Sequence, residues 1–409
     1  MQTAFYQKNN PRELVEAHGS PLYLYNENIL RKQCRDMINL VTYKNFAVNY
    51  AIKANTNIHL MSIIREEGLR ADVSSPGEIV AAFAAGYTAD ELIFIVNGAS
   101  ADELKFAVDH RITVSVDSLS QLETYGKVNP GGKIALRFNP GIGGGHHEKV
   151  ITGGDGTKFG IMPEYIPQVK ELLAKYNLQL VGINHHIGSQ NWGDLYLEGV
   201  HELLALAKQF PGLDFIDLGG GFAIPYHKQA GEKPMDLLSL GKTLDKLMNE
   251  FAASYGKEVI FFIEPGRYIV AECGVLLGTV NCIKSCGAAK YAGTDIGFSV
   301  FARPMLYDAH HDIEIYRKND EPLGETTEII NLVGNQCESG DYIAKERRLP
   351  ILKEGDIFGI MDAGAYGYSM ASQYNHRSRP AEILIKQDGS IKKIRKADTY
   401  EDMLQNMML

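Results

Sequence analysis

Eight short apolar runs, separated by amphipathic stretches, dominate the first two thirds of the chain. The runs are Phe46 to Ile52, Leu69 to Val73, Leu92 to Val96, Ile112 to Val116, Lys133 to Phe138, Gln179 to Ile187, Leu213 to Leu218 and Glu258 to Ile263. Between them, Pro76 to Ala85, Ala101 to Val108, Met162 to Lys175, Leu195 to Gln209 and Leu237 to Ser254 carry apolar residues at helical spacing. Runs with so little polar alternation predict strands buried on both faces, as in a parallel sheet. Roughly eight such units over about 230 residues is the count of a closed (β/α)8 TIM-type barrel, with an open doubly wound sheet as the alternative.

Past Gly274 the pattern changes. Gly278 to Ile283, Ile313 to Tyr316, Thr327 to Val333, Ile357 to Met361 and Ala381 to Ile385 look like strands separated by turns, with little helical periodicity. They predict a C-terminal antiparallel β domain. The expected division is an N-terminal segment 1–30 joining this β domain, a barrel over 31–275, and the β domain over 276–409; the strand-like Leu22 to Tyr25 within the first segment could instead pair with the first barrel unit. A short helix is expected between Asp398 and Leu409.

Composition narrows the function classes. With 45% hydrophobic and 22% charged residues the chain is an ordinary globular sequence, and its net charge of −9 disfavours a phosphate backbone as partner. No apolar run approaches the roughly 18 residues of a spanning helix. Five scattered cysteines, an odd number, give neither a disulfide framework nor a zinc spacing, so a reducing cytoplasm is expected. The pairs His146-His147 and His310-His311 lack further ligands at metal spacing, and no metal is expected.

Barrel enzymes place their chemistry where strands end. The first run ends at Lys53, the sixth at His185-His186-Ile187-Gly188-Ser189-Gln190, the seventh at Asp217-Leu218-Gly219-Gly220-Gly221-Phe222 and the eighth at Glu264-Pro265-Gly266-Arg267. A strand-end lysine is more often a solvated side chain than a nucleophile; in a low-dielectric pocket it becomes able to form a Schiff base. Gly219, Gly220 and Gly221 fit a tight turn or an anion-binding turn equally. They do not fit a dinucleotide fingerprint, because Ile224-Pro225-Tyr226 follows where a helix would open. Glu264 and Arg267 could form an ion pair closing the barrel, or the carboxylate could hold a pyridinium nitrogen protonated.

Taken together, the motifs resemble the alanine-racemase-like, fold type III pyridoxal-phosphate decarboxylases. Lys53 stands in Tyr-Ala-Ile-Lys-Ala-Asn and His186 in His-Ile-Gly-Ser-Gln, followed by the triple glycine and Glu-Pro-Gly-Arg from Glu264. Cys337-Glu338-Ser339-Gly340-Asp341 and Gly364-Ala365-Tyr366-Gly367 then complete the order. Asn139-Pro140, Lys158-Phe159-Gly160, Arg303-Pro304 with Tyr307, and Arg379-Pro380-Ala381-Glu382 extend the likeness over about residues 20 to 395. The resemblance implies pyridoxal 5'-phosphate as cofactor, carried covalently by Lys53, with Glu264 at the pyridine nitrogen and His186 on the ring face. Gly221, Gly266, Arg267 and Tyr366 would lie around the phosphate end, and Gly219 and Gly220 would also bind the cofactor. It implies a homodimer with shared sites, in which Cys337 protonates the substrate carbon and Glu338 comes with it. The polar setting of Cys337 also departs from that of a buried structural cysteine.

Two arginines, Arg267 and Arg303, with Tyr307 beside them and Tyr366 near, suit a second carboxylate on the substrate, and Glu338 a distal ammonium. The expected reaction is therefore decarboxylation of an amino acid with a second amino-acid head, meso-2,6-diaminopimelate, to L-lysine. Alternatives are a decarboxylase of D-lysine, D-ornithine, lanthionine or carboxynorspermidine, an amino-acid racemase, or a non-catalytic homologue. Three stretches depart from the family pattern. Asn97 to Ser100 stand where a Gly-Asn-Asn-Lys-Ser-like turn is expected, Asn335-Gln336 where Gly-Pro-x is usual, and Thr294 to Phe298 where Asp-Ala-Gly-Met is commoner.

Overall fold

The computed structural model describes residues 4–145, 147–154, 156–317 and 321–408, so His146 lies outside the described residues. The chain forms two compact units. One comprises the N-terminal residues to Leu30, Pro225–Lys233 and Val270–Leu409; the other comprises Arg31–Ile224 and Pro234–Ile269. The excursion at 225–233 carries no signal in the hydrophobic pattern.

The second unit is a closed parallel barrel. After β1 (Leu22–Asn26), its strands are β2 (Phe46–Ala51), β3 (Arg70–Val73), β4 (Leu92–Val96), β5 (Thr113–Val116), β6 (Lys133–Arg137), β7 (Gln179–Asn184), β8 (Phe215–Asp217) and β9 (Ile260–Ile263). Each of the eight apolar runs yields one of them, and β9 closes on β2 with Val48 opposite Ile263. The helices start where the sequence supplies N-caps. Ser75 and Ser100 accept the backbone N–H groups of Glu78 and Glu103, and Pro76 occupies the first helical position after Ser75.

The alternation along each strand builds the site. Ala47, Ile93, Ile95, Ala135, Val181, Phe215 and Phe262 cluster as an apolar layer. Two residues further along four of these strands, on the same face, come Asn49, Arg137, Asp217 and Glu264. The barrel interior therefore passes from a packed apolar floor to a polar layer within one strand period.

The other unit is a mostly antiparallel sheet. Its further strands are β10 (Gly274–Cys286), β11 (Ala289–Thr294), β12 (Ile313–Tyr316), β13 (Thr327–Val333), β14 (Tyr342–Pro350), β15 (Ile357–Ile360), β16 (Ala381–Ile385) and β17 (Ile391–Arg395). The order is β14-β13-β11-β10-β1-β16-β17, with β15 pairing β10 and β12. Two pairings, β1 with β16 and β11 with β13, are parallel. β1 is buried along its whole length because its two faces are used differently. Leu22 and Leu24 pack with Phe5, Tyr6, Val275, Leu277 and Ile383, while the hydroxyls of Tyr23 and Tyr25 donate to Val300 O and Glu382 Oε1. The hydrophobic pattern misses β11, β14 and β17. The sequences Tyr-Ile-Ala-Lys-Glu-Arg-Arg-Leu-Pro and Ile-Lys-Lys-Ile-Arg present charged residues on exposed faces, which dilutes the strand signal. The C-terminal helix is confined to Tyr400–Leu404.

Within this unit Lys228 Nζ donates to Glu272 Oε1 at 2.6 Å and Asp362 Oδ1 at 2.8 Å. Burial outweighs that attraction and pushes the Asp362 carboxyl up to about 7. A carboxyl whose folded pKa is raised binds more protons folded than unfolded between about pH 4 and 7, so its contribution falls as pH rises through that window. Asp362→Asn is therefore expected to gain stability relative to wild type from pH 5 to pH 8, measured as the difference in Tm. A Tm difference that stays flat with pH would contradict the assignment.

Candidate active site

β2 runs into a single 3-10 turn, Ile52–Ala54, that carries Lys53. Its Nζ donates to Asp72 Oδ2 at 2.8 Å, and the lysine side chain is 44% exposed against 2% for Asp72. The amine thus holds a half-open position beside a buried carboxylate near the end of β3. Glu78 stands nearby, its carboxyl raised by burial and drawn down by the Ser74 N–H and by Lys53.

Beyond β7, His185 lies with Nε2 3.0 Å from Leu218 O, and His186 Nδ1 accepts the Gly220 N–H at 3.1 Å. Burial, the Arg137 guanidinium and Lys53 hold the His186 imidazole well below its usual pKa. It is neutral near pH 7, and an accepting Nδ1 places its proton on Nε2.

The glycines after β8 meet neighbouring backbone. Gly219 has φ +68 and a Cβ there would sit 2.2 Å from His185 O; Gly221 has φ +106 and its Cβ would sit 2.4 Å from Gly188 O. Only glycine allows both the left-handed backbone and that approach. The turn is completed by Gly219 N–H donating to Asp217 Oδ1 at 2.9 Å.

Glu264, following β9, is buried, and its Oε1 has no hydrogen-bond partner among the described residues. Burial raises its pKa well above the usual range, Asp217 and Asp72 add to this, and Lys53 and Arg137 oppose it. A buried carboxyl oxygen left without a partner costs about 1–3 kcal/mol unless something completes it. Arg267 is also buried and donates from Nη2 and Nε to Ser189 Oγ at 2.8 and 3.3 Å. Gly266 lies against Ala51 and Ala54, where an added Cβ would be 3.1–3.2 Å from theirs. The barrel unit thus assembles an amine, a neutral imidazole, a glycine turn, a partnerless carboxyl oxygen and a guanidinium–hydroxyl pair at its strand ends. These residues fit pyridoxal 5'-phosphate: a protonated ring nitrogen would complete Glu264 Oε1, and a phosphate would accept from Ser189 and Arg267.

The remaining sequence-chosen residues lie in the other unit. Arg303 opens the helix Arg303–Tyr307 and is 1% exposed. Its Nε donates to His311 Nε2 at 3.2 Å, and its guanidinium lies 5.3 Å from the Tyr226 ring. Tyr307 is half-buried. Cys337 and Glu338 are exposed on the loop between β13 and β14. Tyr366 holds φ +55, a left-handed backbone that is rare for a bulky residue and recurs at functional positions.

Sequence reasoning passed over Asp72, Arg137 and Ser189. Arg137 Nη2 reaches His186 O at 3.4 Å, and its guanidinium covers the Phe159 ring at 4.7 Å. Each had a signal: a lone acid closing an apolar run, an arginine in phase with Ala135, and a serine inside His-Ile-Gly-Ser-Gln.

Comparison with known proteins agrees. A family model described as pyridoxal-dependent decarboxylase, pyridoxal binding domain, matches residues 27–271. The diaminopimelate decarboxylase of Methanothermobacter thermautotrophicus is 39% identical over 403 residues, covering 96% of this chain and 92% of its own. That of Escherichia coli K12 is 34% identical, with 97% and 95% covered. The crystal structure of diaminopimelate decarboxylase from Helicobacter pylori complexed with L-lysine aligns with a TM-score of 0.88 at 30% identity, covering 97% of this chain and 98% of that one. A lysine/ornithine decarboxylase from Vibrio vulnificus, at 23% identity and a TM-score of 0.77, shares the fold.

Proposed function

The chain belongs to the diaminopimelate decarboxylases, within the pyridoxal-dependent decarboxylase family, and from that premise we propose the following assignment of its reaction to its residues. The reaction is decarboxylation of meso-2,6-diaminopimelate to L-lysine and CO2. The relatives' shared name carries the substrate, and the observation that supports pyridoxal chemistry is the buried Glu264 carboxyl, whose Oε1 has no partner among the described residues. The diamino-acid alternatives, a racemase and a non-catalytic homologue are not favoured, since relatives at 34–39% identity over nearly the whole chain bear the one name.

Pyridoxal 5'-phosphate, when bound, supplies a conjugated ring that accepts the electron pair left as a carboxylate departs. Lys53 would provide the amine that holds the cofactor, with Asp72 orienting Nζ. Glu264 keeps the ring nitrogen protonated. His186, neutral, offers an uncharged flat face that does not compete for that electron pair. Gly219, Gly220, Gly221, Gly266, Ser189, Arg267 and Tyr366 hold the phosphate end. Arg303 and Tyr307, with Arg267, take the distal carboxylate, and Glu338 takes the distal ammonium. As the carbon–carboxylate bond breaks and CO2 leaves, the Cys337 S–H delivers its proton to the carbon, and solvent reprotonates the thiolate. We assign Cys337 and Glu338 to the site of a second copy, making the working unit a homodimer. Among the described residues no helix is long and apolar enough to cross a membrane, and all five cysteines are free thiols. The thiols support a cytoplasmic setting.

Charge-assisted hydrogen bonds of the kind assigned to Arg303 are worth roughly 1.5–3 kcal/mol. Arg303→Leu is expected to raise KM for diaminopimelate by about 10- to 100-fold while kcat falls less, measured by steady-state CO2 release. An unchanged KM would remove Arg303 from substrate recognition.

A further inference from the structure

The loop that carries Cys337 is tied at its base by one carboxylate. Asp341 Oδ1 accepts the Phe298 N–H at 2.7 Å and Oδ2 the Gln336 N–H at 2.9 Å, while Gly334 N–H donates to Asp341 O at 2.9 Å. Two of the three departures from the family pattern meet here. Gln336 Nε2 donates to Ser299 Oγ at 2.6 Å and Asn335 Nδ2 to Asp295 O at 3.4 Å. Where a proline would stiffen the backbone by fixing φ, this chain uses side-chain hydrogen bonds to the 295–299 segment.

One further bond reaches the cysteine itself. The Cys337 N–H donates to Asn375 Oδ1 at 2.8 Å. Asn375 holds φ 55 and ψ 24, a left-handed conformation that asparagine tolerates better than most residues. Its neighbours anchor it to the same segment: the Tyr374 ring lies 5.0 Å from that of Phe298, and Ser372 N–H donates to Ser299 O at 2.8 Å. The segment 372–375 and the loop 334–341 are therefore both referenced to residues 298–299, and Asn375 joins them at the thiol-bearing residue.

We propose that Asn375 is a positioning residue for proton delivery, holding the backbone of Cys337 through its amide so that the thiol meets the substrate carbon at a fixed place. This rests on Cys337 being the proton donor. A misplacement of about 1 Å at a reacting group can cost on the order of 100-fold in rate. The amide holds the reacting residue directly and Glu338, next in the chain, only through the shared loop, so the effect falls more on kcat than on KM.

Two substitutions separate the acceptor from the backbone. Asn375→Gly keeps the left-handed conformation without strain and removes Oδ1; Asn375→Asp keeps both an acceptor oxygen and a tolerated conformation. In the holoenzyme, Asn375→Gly is expected to lower kcat about 10- to 100-fold with a smaller change in KM, and to raise the solvent deuterium isotope effect on kcat. It is also expected to speed amide exchange in the peptide Gln336–Ser339, while Asn375→Asp stays within about threefold of wild type in each. Wild-type kcat in Asn375→Gly, equal losses in both variants, or a loss with no change in isotope effect and exchange would each overturn the proposal. Failure of the underlying reading shows differently: the wild type would release no CO2, or Cys337→Ala would keep the wild-type rate.

Discussion

Lys53→Ala abolishes decarboxylation, with an expected loss in kcat on the order of 10^4-fold or more, because the residue supplies the only covalent step this account assigns to the protein. The informative companion is Lys53→Arg. It retains a cation beside Asp72, so the ion pair at the end of β2 and β3 can persist. A guanidinium stays protonated and cannot act as the nucleophilic amine. Both variants are expected to fold, to lack the absorbance band of lysine-bound cofactor after addition of pyridoxal 5'-phosphate, and to release no CO2. A band and turnover in Lys53→Arg would show that the lysine serves only as a counter-charge to Asp72.

The second large effect is expected at Cys337. Positioned proton donors contribute about 10²–10⁴-fold, and Cys337→Ala should lower kcat within that range while leaving cofactor absorbance intact. The exposure of Cys337 and Glu338 on the β13–β14 loop suits donation to a second copy. Mixing Lys53→Ala with Cys337→Ala, each inactive alone, should then restore about a quarter of wild-type activity. Half of randomly reassorted dimers are mixed, and each of those contains one intact site. No recovery after subunit exchange would place Cys337 in the site of its own chain.

How far the sequence could be read follows from burial. Strands β2 to β9 are apolar on both faces, so their runs stand out, and the polar ends of those runs mark Lys53, His186 and Glu264 without reference to structure. β14 and β17 are half-exposed and charged, and their pairing is set by neighbours distant in the chain. The Asp72 partner of Lys53 was not legible, because the two meet only when β2 and β3 pair in the observed register. Arg137 and Asp217 become readable once the apolar floor is known, since each lies two residues beyond a floor position. Asn375 was not readable at all: its bond to Cys337 joins segments 38 residues apart and depends on a left-handed backbone that sequence pattern does not reveal.

The proposed reaction requires a substrate with a carboxylate at each end. The most direct test is to give the holoenzyme meso-2,6-diaminopimelate, L-lysine and L-ornithine separately and to quantify CO2 together with the chirality and amount of amino-acid product. The account predicts one CO2 and one L-lysine for each diaminopimelate consumed, and no release from the two amino acids that have a single carboxylate. Release from lysine or ornithine without release from diaminopimelate would contradict it.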